Sequence, residues 1–175
     1  MESYIPHPHR AIGALLLSMF SLTATARDSL CTKDEQVAFS CTVKGNKLVS
    51  LCASPDLSKT KGYVQYRFGK KGAVELAYPK LTEDPRKHFR WGVTAYSGGG
   101  TDYFRFSNGG YDYVVYAGSG KGWEKEGLVV EKDQKRIASL PCRDGGLGPD
   151  NWAVMYSAGL PELDQSKPTE QFDMP

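Results

Sequence analysis

The sequence predicts an all-β fold: an antiparallel β-sandwich or barrel of about nine short strands, disulfide-stabilised, with a short C-terminal helix and tail. Three observations predict it. Apolar and polar residues alternate along most of the chain, with turn residues about every eight to twelve positions. All four cysteines lie beyond an opening segment that looks like an export signal. One hairpin pattern is also written twice, as YRFGKKGAVELAY (66–78) and FRFSNGGYDYVVY (104–116).

The chain opens with Arg10, the apolar run AIGALLLSMFSL (11–22) and TATA, which puts Ala24 and Ala26 where a signal peptidase wants small side chains. The run is shorter than the roughly 20 residues that span a membrane. Residues 1–26 therefore read as a signal peptide, 27–143 as the β-domain, and 144–175 as linker, short helix and flexible tail. That division predicts a periplasmic or secreted protein. With no second long apolar run, no membrane insertion is expected.

The strands follow in order. VAFSCTV (37–43) and LVSLCAS (48–54) flank the turn KGN, and YVQYRF (63–68) runs through GKKGA into VELAY (74–78). The polar stretch LTEDPRKH (81–88) is a connection, and FRWGVTAY (89–96) the next strand. The second hairpin copy adds two more, and LVVEK (128–132) and RIASLPC (136–142) complete nine. Beyond the linker, NWAVMYSAG (151–159) suits two helical turns capped by Asp150 or Asn151. Trp152, Met155 and Tyr156 are expected to dock over an open edge, and the last fifteen or so residues to be disordered.

In the repeated hairpin, taking GKKGA and SNGG as loops places Phe68 opposite Val74 and Phe106 opposite Tyr111. Arg67 then faces Glu75, and Arg105 faces Asp112. The arginines are thereby assigned to the sheet, where such cross-strand pairs fix register.

The side-chain inventory narrows the chemistry. Cys31, Cys41, Cys52 and Cys142 are an even set with no C-x-x-C spacing, which favours two disulfides over a zinc site. Three connectivities are open, and spacing does not choose among them. His7 and His9 leave with the signal, so His88, in the polar connection, is the one histidine for acid–base work; it reads as an exposed loop residue. No carboxylate pair stands out for glycoside hydrolysis, and GSGKG (118–122) lacks the spacing of a phosphate loop. A net charge of +2 without a basic stripe does not suit nucleic acid. The expectation is a binding protein with no catalytic residues, metal or cofactor.

Three glycine-rich stretches bracket the second hairpin: SGGGTDY (97–103), SNGGY (107–111) and AGSGKGW (117–123). They would bring Tyr103, Tyr111 and Trp123 to a protein partner, large contact areas on small-residue turns. The motifs FSC (39–41), SNGGY (107–111), YVVYAGSGKG (113–122) and LPC (140–142) occur in an order that resembles periplasmic and membrane-bound inhibitors of c-type lysozyme. That resemblance implies a small exported β-barrel in which Ser107 and Tyr111 enter the enzyme cleft and Lys121 makes a second contact. The expected function is inhibition of a lysozyme-like or other peptidoglycan-acting enzyme, as a lysozyme inhibitor or as an immunity protein against a periplasmic toxin. The alternative is an envelope glycan-binding or structural module that stacks sugars on Trp91, Tyr96 and Trp123.

Overall fold

The computed structural model describes residues 28–144 and 152–175, together with Met1. The remainder of the expected signal segment and residues 145–151, with the expected helix caps Asp150 and Asn151, lie outside the described residues. The strands are β1 (Gln36–Val43), β2 (Lys47–Ala53), β3 (Val64–Lys70), β4 (Ala73–Tyr78), β5 (Arg90–Tyr96), β6 (Gly99–Asn108), β7 (Tyr111–Gly120), β8 (Trp123–Lys132) and β9 (Lys135–Pro141). One helix, α1 (Trp152–Ser157), follows. The first four strands form one antiparallel sheet and the last five another, each strand pairing with its chain neighbours. The fold is a β-sandwich of two meanders.

Alternation fills the space between the sheets. Phe39, Val49, Leu51, Val64 and Tyr66 from one sheet meet Phe104, Phe106, Val115 and Leu128 from the other. Along β6, Phe104 stacks on Trp152, which also touches Phe39 of β1, while Phe106 contacts Tyr66 of β3 and stacks on Tyr78 of β4. Two side chains of one strand in the five-stranded sheet thus touch β3 and β4 of the other directly and β1 through Trp152. Helix α1 packs against β1 and adds to the core: Trp152 and Met155 are buried in it. Tyr156 stays on the surface, edge-on to Trp91 with ring centroids 5.6 Å apart.

The repeated hairpins differ from the expected register by two residues. Phe68 pairs with Leu76 and Phe106 with Tyr113, so Arg67 lies opposite Ala77 and Arg105 opposite Val114. The turns are tighter than the proposed loops. In the second copy only Gly109 and Gly110 lie outside the ladder, with φ of 60° and 78°, a left-handed pair that matches strand twist. The first copy absorbs its extra residue as an irregularity between Phe68 and Gly69. This one-residue difference places Tyr78 in the inter-sheet core but Tyr116 on the outer face, although the two align in sequence.

Neither arginine pairs with its expected acid; each fastens a chain end. Arg67 forms a two-pronged bond to Glu35, at 2.7 and 2.8 Å, and donates to the Leu30 carbonyl at 2.8 Å. Arg105 reaches Glu131 at 3.0 Å and the carbonyls of Thr169 and Gln171 at 2.6 and 3.2 Å. The N-terminal segment 28–35 thus straps the outer face of the first sheet. The segment 160–175 straps the second, where Leu163 and Phe172 cover Tyr103, Val114, Tyr116 and Val129. The tail expected to be disordered is seated on the sheet, because its sparse apolar residues meet an apolar outer face that strand alternation alone does not reveal.

The disulfides are Cys31–Cys52 and Cys41–Cys142. The first fixes the N-terminal strap to β2, and the second joins β1 to the segment just after β9, closing a 101-residue separation between the sheets. Two such bonds mark a protein that matures outside the reducing cytoplasm. Among the described residues, no helix is long and apolar enough to cross a membrane.

Candidate functional site

The five residues expected to bind a partner occupy three separate places. Ser107 and Tyr111 flank the β6–β7 turn, Lys121 and Trp123 flank the β7–β8 turn, and Tyr103 is fully buried beneath the C-terminal strap. Tyr103 is therefore no surface contact; its hydroxyl donates to the Glu170 carbonyl at 3.0 Å. The stretches read as loops are largely strand, with Gly99 to Tyr103 in β6 and Tyr111 to Gly120 in β7. The ten residues of β7 separate the two turns by roughly 30 Å at about 3.4 Å per residue. Ser107–Tyr111 and Lys121 do not converge.

At the β6–β7 tip, Gly109 and Gly110 have open space around their Cα positions. Ser107 and Asp112 pair across the ladder and their side chains hydrogen-bond, which braces the hairpin behind the tip. Tyr111 is half-buried, with the Lys132 ammonium 5.2 Å from its ring centroid. Sequence reading missed Lys132. Its place follows from the β7–β8 register, in which Asp112 pairs with Glu131. The short turn between LVVEK and RIASLPC was the available signal that strand β8 ends beside the tip.

The opposite end carries a different group. The Lys121 amide donates to the Gly98 carbonyl at 2.9 Å, tying two turns together. Trp123 lies so close over Gly120 that a Cβ there would sit 2.4 Å from its indole nitrogen, and Tyr96 meets the ring edge-on at 6.2 Å. Tyr96 and Trp123 do come together, whereas Trp91 belongs with Tyr156 and the core.

Other sequence candidates resolve into structure. His88 is not an exposed loop residue: its side chain is largely covered, Nδ1 is 3.3 Å from the Tyr78 hydroxyl, and Nε2 is 3.3 Å from Glu83. The 3-10 turn Pro85–Lys87 carries it toward β4. The atoms of Cys31, Glu35 and Cys52 lie close enough together to suggest a metal-binding group. The two sulfurs are bonded to each other, however, and the carboxylate is held by Arg67. Burial acts to raise the Glu35 carboxyl, but the Arg67 guanidinium, the Thr32 amide and the Tyr63 hydroxyl outweigh it and hold the group below its ordinary value.

No protein-family model matches the chain, and no curated protein or solved structure matches it significantly.

Proposed function

We propose that this is an exported, periplasmic or secreted, binding protein that inhibits a cell-wall-degrading enzyme by pushing its β6–β7 tip into the enzyme's cleft. The enzyme is a lysozyme or a rival's periplasmic toxin. The observation that carries the reading is the tip itself: a glycine pair with open surroundings, braced by Ser107 and Asp112, beside an aromatic ring. A rigid, narrow hairpin enters a groove with little ordering cost. The two-point contact implied by the resemblance changes accordingly. Lys132, over Tyr111, supplies the cation for an acidic cleft residue, and Lys121 stays outside the contact.

The test is inhibition of c-type lysozyme and a panel of other peptidoglycan hydrolases by the purified protein. Tyr111→Ala weakens inhibition roughly 30-fold, the size of an aromatic hot spot (about 2 kcal/mol). Lys132→Ala weakens it less, and Lys121→Ala leaves it unchanged. Absence of inhibition across the panel, or sensitivity to Lys121→Ala alone, overturns the reading.

A second reading, an envelope glycan-binding module, is favoured by the Tyr96–Trp123 pair at the far end. The indole rests on Gly120 beside Tyr96, an aromatic pair of the kind that contacts sugars. Binding to insoluble peptidoglycan that disappears with Trp123→Ala, together with no enzyme inhibition, selects this alternative.

A further inference from the structure

The C-terminal strap is held in an unusual way. Between Thr169 and Pro175 it forms no backbone ladder with the sheet; side chains of the sheet bond to its main-chain carbonyls one after another. Arg105 takes Thr169 and Gln171, Tyr103 takes Glu170, Thr94 takes Phe172 at 2.9 Å, Arg136 takes Asp173, and Lys125 takes Pro175 at 2.7 Å. Donors of this kind recognise main-chain oxygens, here of the turn at Thr169 and Glu170 and of the extended run after it, whatever side chains the segment carries. Selectivity comes from one anchor: the Phe172 ring sits in a buried socket, 5.0 Å from Tyr103 and 5.5 Å from Tyr116. Close approach is built in at Gly118, where a Cβ would lie 3.1 Å from the Met174 sulfur.

Two further observations indicate that the strap does not exhaust this surface. Among the described residues, the Arg105 Nε–H, buried beneath it, has no hydrogen-bond partner. A cleft of about 280 Å³ also remains open between β5 and the strap, at Val93, Gln171 and Asp173. Three of the donors are cationic and lend the face a positive potential; the strap they hold carries Asp173 and Glu170, the latter bonded to Asp164 and Lys167 of its own turn.

We infer that the outer face of the five-stranded sheet is a second binding site, for an acidic extended peptide with one aromatic anchor, and that the chain's own C-terminus masks it in cis. A peptide supplied in trans competes with a tethered copy whose effective concentration is in the millimolar range for a short linker. The site therefore opens to partners only when the tail is released or outmatched.

The test uses the full chain and a fluorescent synthetic peptide of residues 169–175, read by anisotropy. The full-length Phe172→Ala protein, whose own tail has lost its anchor, binds the peptide at least ten-fold more tightly than the unmodified protein does. A peptide lacking the aromatic ring does not bind, and adding Arg105→Leu to the Phe172→Ala chain removes binding. Should Phe172→Ala fail to fold, a protease site placed within 164–168 of the otherwise unchanged chain gives the same readout. After cutting, the labelled peptide replaces the nicked tail. A folded Phe172→Ala protein that ignores the peptide overturns the inference, as does a nicked tail that is never replaced.

Discussion

On the outer face of the four-stranded sheet, Arg67 holds the N-terminal strap through a buried carboxylate and a carbonyl, next to a disulfide. On the outer face of the five-stranded sheet, Arg105 holds the C-terminal strap through carbonyls, next to the socket of Phe172. The two arginines occupy equivalent places in a duplicated hairpin, yet the faces around them differ. Ser40, Ser50 and Gln65 make the first face polar, whereas Tyr103, Val114, Tyr116 and Val129 make the second apolar. The first strap is locked by charge and covalent bond. The second is held by reversible contacts alone. A hairpin written twice thus provides one way to fasten a flanking segment, and the neighbouring residues decide whether a covalent bond joins the fastening.

The largest test of this contrast is to remove each arginine. Arg67→Ala leaves Glu35, whose side chain is 3% exposed, without its counter-ion, held by the Thr32 amide and the Tyr63 hydroxyl alone. Breaking a buried pair from one side costs about 3–5 kcal/mol, which urea denaturation reads directly. Adding Glu35→Gln recovers part of the loss, since it removes the stranded charge. Arg105→Ala removes side-chain bonds to the strap and leaves Glu131, 15% exposed, without its partner, so it exposes residues 164–175 to protease while the unfolding midpoint moves less than for the more deeply covered Glu35. Equal global losses from the two substitutions would erase the distinction between locked and exchangeable ends.

A smaller effect is expected from removing the covalent lock. Cys31→Ala with Cys52→Ala opens a loop of sequence separation 21, worth about 3 kcal/mol in the chain-entropy account. The variant should also show faster amide exchange at residues 28–35, approaching the rate at the C-terminal strap. Unchanged exchange there would mean that Arg67 and Glu35 suffice and that the disulfide is redundant.

The number and order of strands were legible because each apolar alternation is local, and so was the assignment of the arginines to the scaffold. Register was not: two glycines with left-handed φ shorten the Gly109–Gly110 turn, and an irregularity at Phe68 and Gly69 shifts the other copy. Each moves every cross-strand partner. The turn flanked by Ser107 and Tyr111 is legible from SNGGY, but Tyr103 reads as a surface contact because strand β6 continues through a glycine run that looks like a loop. Glu35 as the partner of Arg67, and the seating of Phe172, depend on segments from the ends of the chain folding back over a sheet. No local pattern encodes such contacts.

The finest distinction between the straps is their response to acid. Glu35 is held below its ordinary value of 4.5, so the folded protein binds this proton more weakly than the unfolded chain does. The stability from that difference is fully present above pH 4.5 and is lost as pH falls through the lowered value of the folded state. Asp84, Asp164 and Glu170 are also lowered, chiefly by local turn hydrogen bonds on the surface, so some acid slope belongs to them. Comparison with Glu35→Gln isolates the buried group. At pH 7 the variant is the less stable of the two, and its urea midpoint declines more gently toward pH 3. The two curves therefore converge in acid. Parallel curves would mean that Glu35 carries no linked proton, and that Arg67 holds the N-terminal strap through the Leu30 carbonyl rather than through charge.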